Sequence, residues 1–459
     1  MCGIFGVRGH PEAVRLTELG LYSLQHRGQE SAGVVCINEA GDARAVRSMG
    51  TMSTKMADEL DLVHGITAIG HTRYSTAGSS SIENAQPVLA RTRIGFVALA
   101  HNGNLTNAAE LRMDLEDRGS IFSSTMDSEV IVHRLARSNA DRAEDRLAEA
   151  LCEVEGAYSL VVTIGDTLLA ARDPRGWRPL VMGRLGDALV FASETCALDI
   201  VGATYEREVQ PGEVIAVDND GVRSSFPLPR RERKQCVFEF VYFARPDSRV
   251  FGGSVDRARR ALGRRLAKEW PAPNAELVFS VPDSSNSAAL GFAEESGLPY
   301  ELALIRNHYI GRTFIQPSQA DRDAKVKVKY NPVREVLQGK KVVMVDDSIV
   351  RGTTTRGLVA LVRSAGASEV HMRVSSPPVT GPCYYGIDTP SREELIAARL
   401  TPDEIAKDLG VDSLGYLSLE GMLQAVPGGP HGFCHACFSG DYPTAPPTDP
   451  DKLRFGCGC

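Results

Sequence analysis

Val342-Val343-Met344-Val345-Asp346-Asp347-Ser348-Ile349-Val350-Arg351-Gly352-Thr353-Thr354-Thr355 reads as a strand that ends in two adjacent carboxylates, turns through a Gly/Thr-rich loop and enters a helix. The unbroken apolar run marks a strand covered on both faces, as in a parallel sheet flanked by helices. In such sheets ligands bind beyond the carboxyl ends of the strands. The backbone N–H groups of the turn, the hydroxyls of Ser348, Thr353 and Thr354 and the helix N-terminus suit a phosphate. Asp346 and Asp347 beside that phosphate suit ribose hydroxyls, or a hard cation bridging ribose and pyrophosphate. A solvated loop with a helix N-cap explains any one of these residues, but not strand, acid pair, hydroxyls and Gly352 together. The stretch is not a Walker loop, because no Gly-Lys-Ser/Thr follows four residues after a Gly.

The flanking sequence repeats the strand–loop–helix order. Leu277–Val281 is an apolar strand, residues 282–287 a polar loop and Ala288–Ser296 a helix; Lys341–Val345 is the second strand, Arg356–Ser364 its helix and His371–Ser375 a third strand. Ser391 with Glu394 forms a capping box, and Thr401-Pro402-Asp403-Glu404 opens a further helix with Pro at its first position. Prolines and a basic run in residues 226–234 break the apolar pattern and mark a domain boundary, giving units at 2–230 and 231–459. The first unit is rich in short strands, at Ile66–Gly70, Gly95–Ala100, Ser159–Ile164, Leu168–Ala171, Ala188–Ala192 and Glu213–Val217. Helices are interspersed at Glu12–Leu24 and Asp127–Arg137, a mixture that predicts a layered α+β domain before the α/β one.

Composition narrows the function classes. The chain has 459 residues, enough for two or three domains, with 43% hydrophobic and 24% charged residues. A formal net charge of −7 argues against a general nucleic-acid binder. No run of about 18 apolar residues exists to span a membrane, and no basic region followed by an apolar stretch opens the chain. A cytoplasmic address is the expectation.

The chain opens Met1-Cys2-Gly3-Ile4-Phe5-Gly6. A small residue after the initiator lets Met1 be removed, and a mature Cys2 would carry thiol and α-amine on one residue. An α-amine titrates at about 7.7–8.0 and so acts as a base near neutrality. A thiol with a base that close is an activated nucleophile.

The segment Asp346–Thr355 resembles the loop with which phosphoribosyltransferases grip 5-phosphoribosyl-1-pyrophosphate (PRPP), which assigns PRPP to Asp346, Asp347, Ser348, Ile349, Val350, Arg351, Gly352, Thr353 and Thr354. The opening hexapeptide, Gln25-His26-Arg27-Gly28-Gln29-Glu30-Ser31, Gly70-His71-Thr72-Arg73-Tyr74-Ser75-Thr76, His101-Asn102-Gly103-Asn104 and Asp127-Ser128-Glu129 resemble the N-terminal-nucleophile glutamine amidotransferases. That resemblance makes Cys2 the nucleophile and its amine the general base, with Arg73 on the α-carboxylate of glutamine and Asp127 on its α-ammonium. Asn102 and the backbone of Gly103 would form the oxyanion hole.

Both halves together, with residues 240–248, 281–285 and 311–319, resemble the amidophosphoribosyltransferase family over nearly the whole chain. The resemblance implies an αββα glutaminase domain followed by a type I phosphoribosyltransferase domain with a parallel sheet and a C-terminal helical region. It implies ammonia freed at Cys2 crossing an internal channel to C1 of PRPP, giving 5-phosphoribosylamine, pyrophosphate and glutamate, the first committed step of de novo purine synthesis. Mg²⁺ on Ser284, Asp346 and Asp347, purine nucleotide feedback and a homotetramer are further family expectations. The family loop that orders over PRPP would be residues 312–330, where Lys325, Lys327 and Lys329 face pyrophosphate or form a solvated face. An amidotransferase with a sugar-phosphate acceptor lacks a PRPP loop, and a PRPP-responsive regulator needs no Cys2, Arg73, Asn102 and Asp127.

Ten cysteines without a dense small-domain pattern argue against disulfides in the cytoplasm. The pair Cys434 and Cys437, spaced C-x-x-C, with distant partners reads as a metal or cluster site. In one branch of the family four cysteines matching Cys236, Cys383, Cys434 and Cys437 hold a [4Fe–4S] cluster. The residues alone also suit zinc, or buried reduced thiols; the family context favours iron–sulfur. Cluster-bearing relatives often carry a propeptide, whereas Met1 alone precedes Cys2, so ordinary aminopeptidase removal is the expected maturation. Cys457 and Cys459 match no family ligand and no C-a-a-X signal, and read as a frayed terminal dithiol.

Overall fold

The computed structural model describes residues 1–38, 40–75, 78–308 and 328–447. Residues 309–327 lie outside the described residues, and with them most of the loop expected over 312–330, including Lys325 and Lys327; so do Thr76 and the terminal pair Cys457 and Cys459, while Lys329 lines the cleft described below.

Two antiparallel sheets form the first half. One orders its strands Thr204–Glu208, Val181–Leu185, Ala188–Ala192, Gly3–Arg8, Thr67–Arg73, Ser31–Ile37 and Ala43–Met49. The other orders Gly221–Ser225, Val214–Asp218, Thr167–Arg172, Gly156–Ile164, Gly95–Leu105 and Val88–Thr92. Alternate side chains decide the layering, because successive residues of a strand point to opposite faces. Ile4, Val35 and Ile69 of the first sheet pack against Ala98, Val161, Ala170 and Ile215 of the second in one core. Phe5, Val7 and Val34 turn the other way, against the helices Ala13–Ser23, Thr54–Leu60 and Thr195–Val201. On the far side, Leu99, Leu160 and Val162 pack against Glu129–Arg137 and Ala143–Leu151. The result is the αββα layering that the family resemblance implies, with the central strands covered on both faces.

Residues 226–234 carry no regular secondary structure. Beyond them a four-stranded parallel sheet orders Leu277–Ser280, Lys341–Asp346, Glu369–Val374 and Ser413–Tyr416. Val278, Val343 and Val345 face the helices Val255–Glu269 and Asn286–Ser296. Phe279, Val342 and Met344 face Thr353–Ser364 and Pro402–Leu409. The strand Ser413–Tyr416 and the hairpin of Leu304–Arg306 with Tyr330–Pro332 were not expected from the sequence; each is short, and polar residues or proline hide its pattern. The capping boxes at Ser391 and Thr401 both form.

Several elements run further than their apolar pattern predicts. The strand expected over Gly95–Ala100 continues to Leu105, and the one expected over Ile66–Gly70 runs from Thr67 to Arg73. The helix expected from Arg356 starts at Thr353, behind Gly352 in the left-handed region at φ 76°. In each case the added residues include the site candidates quoted above.

Candidate active site

Cys2 lies one residue before the strand Gly3–Arg8, whose register pairs Gly3 with Thr72, so the thiol and Arg73 reach the same end of the sheet. Asn102 and Gly103 come from the facing sheet. The Cys2 backbone N–H donates to Asn102 Oδ1 at 3.2 Å, and the Cys2 thiol donates to the Tyr74 carbonyl at 3.6 Å. That nitrogen is a peptide N–H here because Met1 precedes it; it is the atom that becomes the α-amine once Met1 is gone. Met1 itself is 1% exposed, and burial above all pushes its amine down to about 5.

Asn102 Nδ2 is buried and finds no hydrogen-bond partner among the described residues. Such a donor is costly to leave unmet, and a transient oxyanion would satisfy it. Gly103 has φ 154°, and a Cβ there would stand 2.0 Å from the Ala157 carbonyl oxygen, so only glycine lets the strand turn its peptide this way. His71 ties the two sheets together, donating from Nε2 to the His101 carbonyl at 3.0 Å. Burial pushes His71 down to about 3, which keeps the ring neutral.

Arg73 is ion-paired with Glu30 and donates to the Ser79 carbonyl at 3.1 Å. Asp127 accepts from the Leu105 N–H at 2.9 Å and from the Ser128 hydroxyl at 3.1 Å. Glu30 had no role in the sequence reading; its only signal was its place in the Gln25–Ser31 segment.

A buried ion cluster lies beneath Cys2, and sequence reasoning missed it. Arg27 Nε donates to the Cys2 carbonyl at 2.9 Å; its other nitrogens pair with Glu194 and, at 2.8 Å, with Glu239. Burial disfavours every one of these charges, but Glu239 and Glu194 outweigh it for Arg27 and raise its pKa. His26 and Arg27 likewise hold Glu194 well below the usual carboxylate range against its burial. Glu239 belongs to the second half, so the start of the Gly3–Arg8 strand is anchored across the boundary. Removing one member of such a cluster typically costs about 3–5 kcal/mol by stranding a buried charge.

An open cleft joins the halves: His26, Arg27 and Tyr74 of the first half and Asp346, Asp347 and residues 350–355 of the second all line it. Ser285 donates to Asp346 at 3.0 Å, while Ser284 and Ser348 donate to Asp347, the latter at 2.6 Å. Burial, then the neighbouring charge of Asp347, raises the Asp346 carboxyl well above its ordinary value. Burial raises Asp347 as well, although Ser284, Ser348 and Arg259 oppose it. Two buried acids under-supplied with positive charge suit a divalent cation or the hydroxyls of a sugar.

The four expected cysteines come together. A short parallel pairing sets Cys236 opposite Cys434, and Thr380 and Gly381 N–H groups donate to the Cys437 carbonyl, bringing up Cys383. All four line one small cavity together with Trp177 and Arg178. Burial pushes Cys236 up to about 11 and Cys434 up to about 12. Trp177 Nε1 is buried and finds no acceptor among the described residues. Among the described residues no three His, Cys, Asp or Glu side chains are grouped to hold a single metal ion.

An N-terminal-nucleophile glutaminase whose cleft runs into a PRPP-type acid loop defines a glutamine amidotransferase joined to a phosphoribosyltransferase. The family model described as a glutamine amidotransferase domain matches residues 71–199. The chain is 51% identical over 457 residues to the chloroplastic amidophosphoribosyltransferase 2 of Arabidopsis thaliana, covering 99% of this chain and 81% of that protein. It is 49% identical over 450 residues to the amidophosphoribosyltransferase of Bacillus subtilis, covering 96% and 94%. It superposes with a TM-score of 0.90 on the glutamine PRPP amidotransferase of B. subtilis complexed with ADP and GMP, at 48% identity and covering 97% and 98%. The chain belongs to the amidophosphoribosyltransferase family.

Proposed function

We propose that the chain transfers ammonia from glutamine to C1 of PRPP, giving 5-phosphoribosylamine, pyrophosphate and glutamate, at the first committed step of purine synthesis. The observation that carries this reading is the shared cleft: the Tyr74 carbonyl touches the Cys2 thiol, and Tyr74 lines the cavity that holds Asp346 and Asp347.

With Met1 removed, the Cys2 amine takes the thiol proton as sulfur attacks the side-chain amide carbon of glutamine. Arg73 and Asp127 hold the zwitterionic end, and Asn102 Nδ2 with the Gly103 N–H takes the oxyanion. Collapse of that intermediate expels ammonia, and water then cleaves the thioester to glutamate. Neutral ammonia passes Tyr74 into the cleft and attacks C1 as the C1–O bond to pyrophosphate breaks; a closed route keeps it from escaping or protonating. Met1 is buried, so the aminopeptidase acts before the second half closes over it. The test is an assay in which glutamate release from glutamine requires PRPP and matches pyrophosphate mole for mole; glutamate release indifferent to PRPP would overturn the coupling.

Mg²⁺ held by Asp346, Asp347 and Ser284 would supply positive charge to the departing pyrophosphate. Two carboxylates leave the other ligand positions to substrate and water, as this cation prefers. Cys236, Cys383, Cys434 and Cys437 would hold a [4Fe–4S] cluster: the four thiols line one cavity, and the Trp177 N–H and the Arg178 guanidinium offer donors to a sulfide-rich anion. Its service would be structural or oxygen-sensing, since the ligands stand apart from both reacting centres. Anaerobically purified protein is expected to contain four iron and four labile sulfide per chain; stoichiometric zinc would contradict this. Feedback by purine nucleotides, a homotetramer and a cytoplasmic address complete the reading. In support, the B. subtilis relative was solved with ADP and GMP, and no helix among the described residues is long and apolar enough to cross a membrane.

A further inference from the structure

Residues 383–390 touch three places at once. Cys383 lines the four-thiol cavity, and Ile387, Asp388, Thr389 and Pro390 line the phosphate cleft. Between them the segment crosses the boundary and lies on the oxyanion strand of the glutaminase half. The Tyr384 carbonyl accepts from Asn104 Nδ2 at 3.0 Å, and the Tyr385 carbonyl accepts from Arg178 Nε at 2.8 Å. The Tyr385 ring stacks on Trp177 with centroids 4.5 Å apart. Gly386 has φ 104°, and a Cβ on it would lie 2.9 Å from the Gly103 carbonyl carbon and 3.0 Å from both its Cα and its oxygen.

We infer that Gly386 is a positioning residue for the oxyanion hole: the second half supplies the backbone that seats the Gly103 peptide. This rests on the assignment of Asn102 and Gly103 as the hole. Its physical reason is tolerance. Oxyanion donors must stand within about 0.5 Å of the productive position to count, and removing one typically costs about 10²–10³ in rate. The nearest atoms that a methyl group at Gly386 would meet are all Gly103 backbone, and backbone cannot rotate away as a side-chain end can. Asn104, next to Gly103 on the same strand, secures the junction through its hydrogen bond to the Tyr384 carbonyl, so its loss loosens the hole without displacing it.

The experiment compares Gly386→Ala, Asn104→Ala and Asn102→Ala in the full chain. Gly386→Ala is expected to lower kcat for glutamine hydrolysis by about 10²-fold with KM for glutamine within about threefold, because Arg73 and Asp127 are untouched. Ammonia-dependent synthesis, iron content and the rate of Cys2 alkylation by iodoacetamide, a reaction with no oxyanion, stay at parental values. Asn104→Ala shows the same pattern at about 3- to 10-fold. If Asn102→Ala cripples hydrolysis while both other variants keep parental kcat, the Gly386 role is wrong. It is equally wrong if Gly386→Ala loses ammonia-dependent synthesis in parallel and Asn104→Ala is silent. If Asn102→Ala itself retains full hydrolysis, the oxyanion assignment falls and the Gly386 role falls with it.

Discussion

Cys2→Ala is expected to abolish glutamine-dependent synthesis, by about 10⁴-fold or more, and to leave synthesis from added ammonia within about twofold of the parent. The asymmetry follows from the geometry. Cys2 sits at the end of the first sheet, hydrogen-bonded to Asn102 and the Tyr74 carbonyl, while the acid pair lies at the end of the parallel sheet of the second half. Alanine removes the attacking sulfur but fits the same space without disturbing the Arg27 hydrogen bond, which is to the Cys2 carbonyl rather than to its side chain. Steady-state rates with glutamine and with ammonium at mildly alkaline pH measure both arms. Full glutamine use by the variant would remove Cys2 from the reaction.

Asp346→Asn with Asp347→Asn is expected to cripple synthesis from either nitrogen source, by about 10²–10⁴-fold, since a hydrogen bond to a charged group is worth about 1.5–3 kcal/mol and the amides give up the charge at both positions. The same change is expected to raise the melting temperature of the unliganded protein. The sign comes from linkage: burial raises both carboxyls in the folded chain above their unfolded values. Their contribution to stability is therefore present below the unfolded pKa, and is lost as pH rises through the folded one. Above the unfolded carboxylate range the raised pair therefore costs stability through this linkage, a cost that amides, which do not titrate, lack. Mg²⁺ with PRPP is expected to stabilise the parent, by about 2.7 kcal/mol at a hundredfold excess over Kd, and not the double variant. Melting curves with and without ligand, beside initial rates, check all three. Parental PRPP kinetics in the double variant would refute the loop assignment.

Much of this site was legible because it is contiguous in sequence. The strand, acid pair and Gly/Thr turn at 342–355 form one local unit, and their physical consequences follow from residue type alone. The opening Cys2 gained meaning only beside the other glutaminase segments. The ends of the elements were not legible, for a reason the structure makes plain. His71, Thr72 and Arg73 prolong one strand, and His101, Asn102 and Gly103 another, as buried polar residues that break the apolar pattern at the place where chemistry requires them. The ion cluster was hidden more deeply. Arg27, Glu194 and Glu239 are far apart in sequence and belong to types that are seldom fully buried. The close approach of Gly386 to Gly103 has no sequence signature, because one glycine in a loop looks like any other until its neighbour is known.

The central claim is that both halves serve one enclosed reaction, and the fate of nitrogen tests it most directly. Glutamine labelled with ¹⁵N in its side-chain amide is supplied with PRPP in a buffer containing excess unlabelled ammonium, and the phosphoribosylamine is trapped and weighed by mass spectrometry. Passage from Cys2 through the cleft past Tyr74 to the acid pair predicts a product that carries the amide label essentially undiluted. Label diluted to the isotopic composition of the buffer ammonium would show that ammonia leaves the protein before it reacts, and would contradict the account.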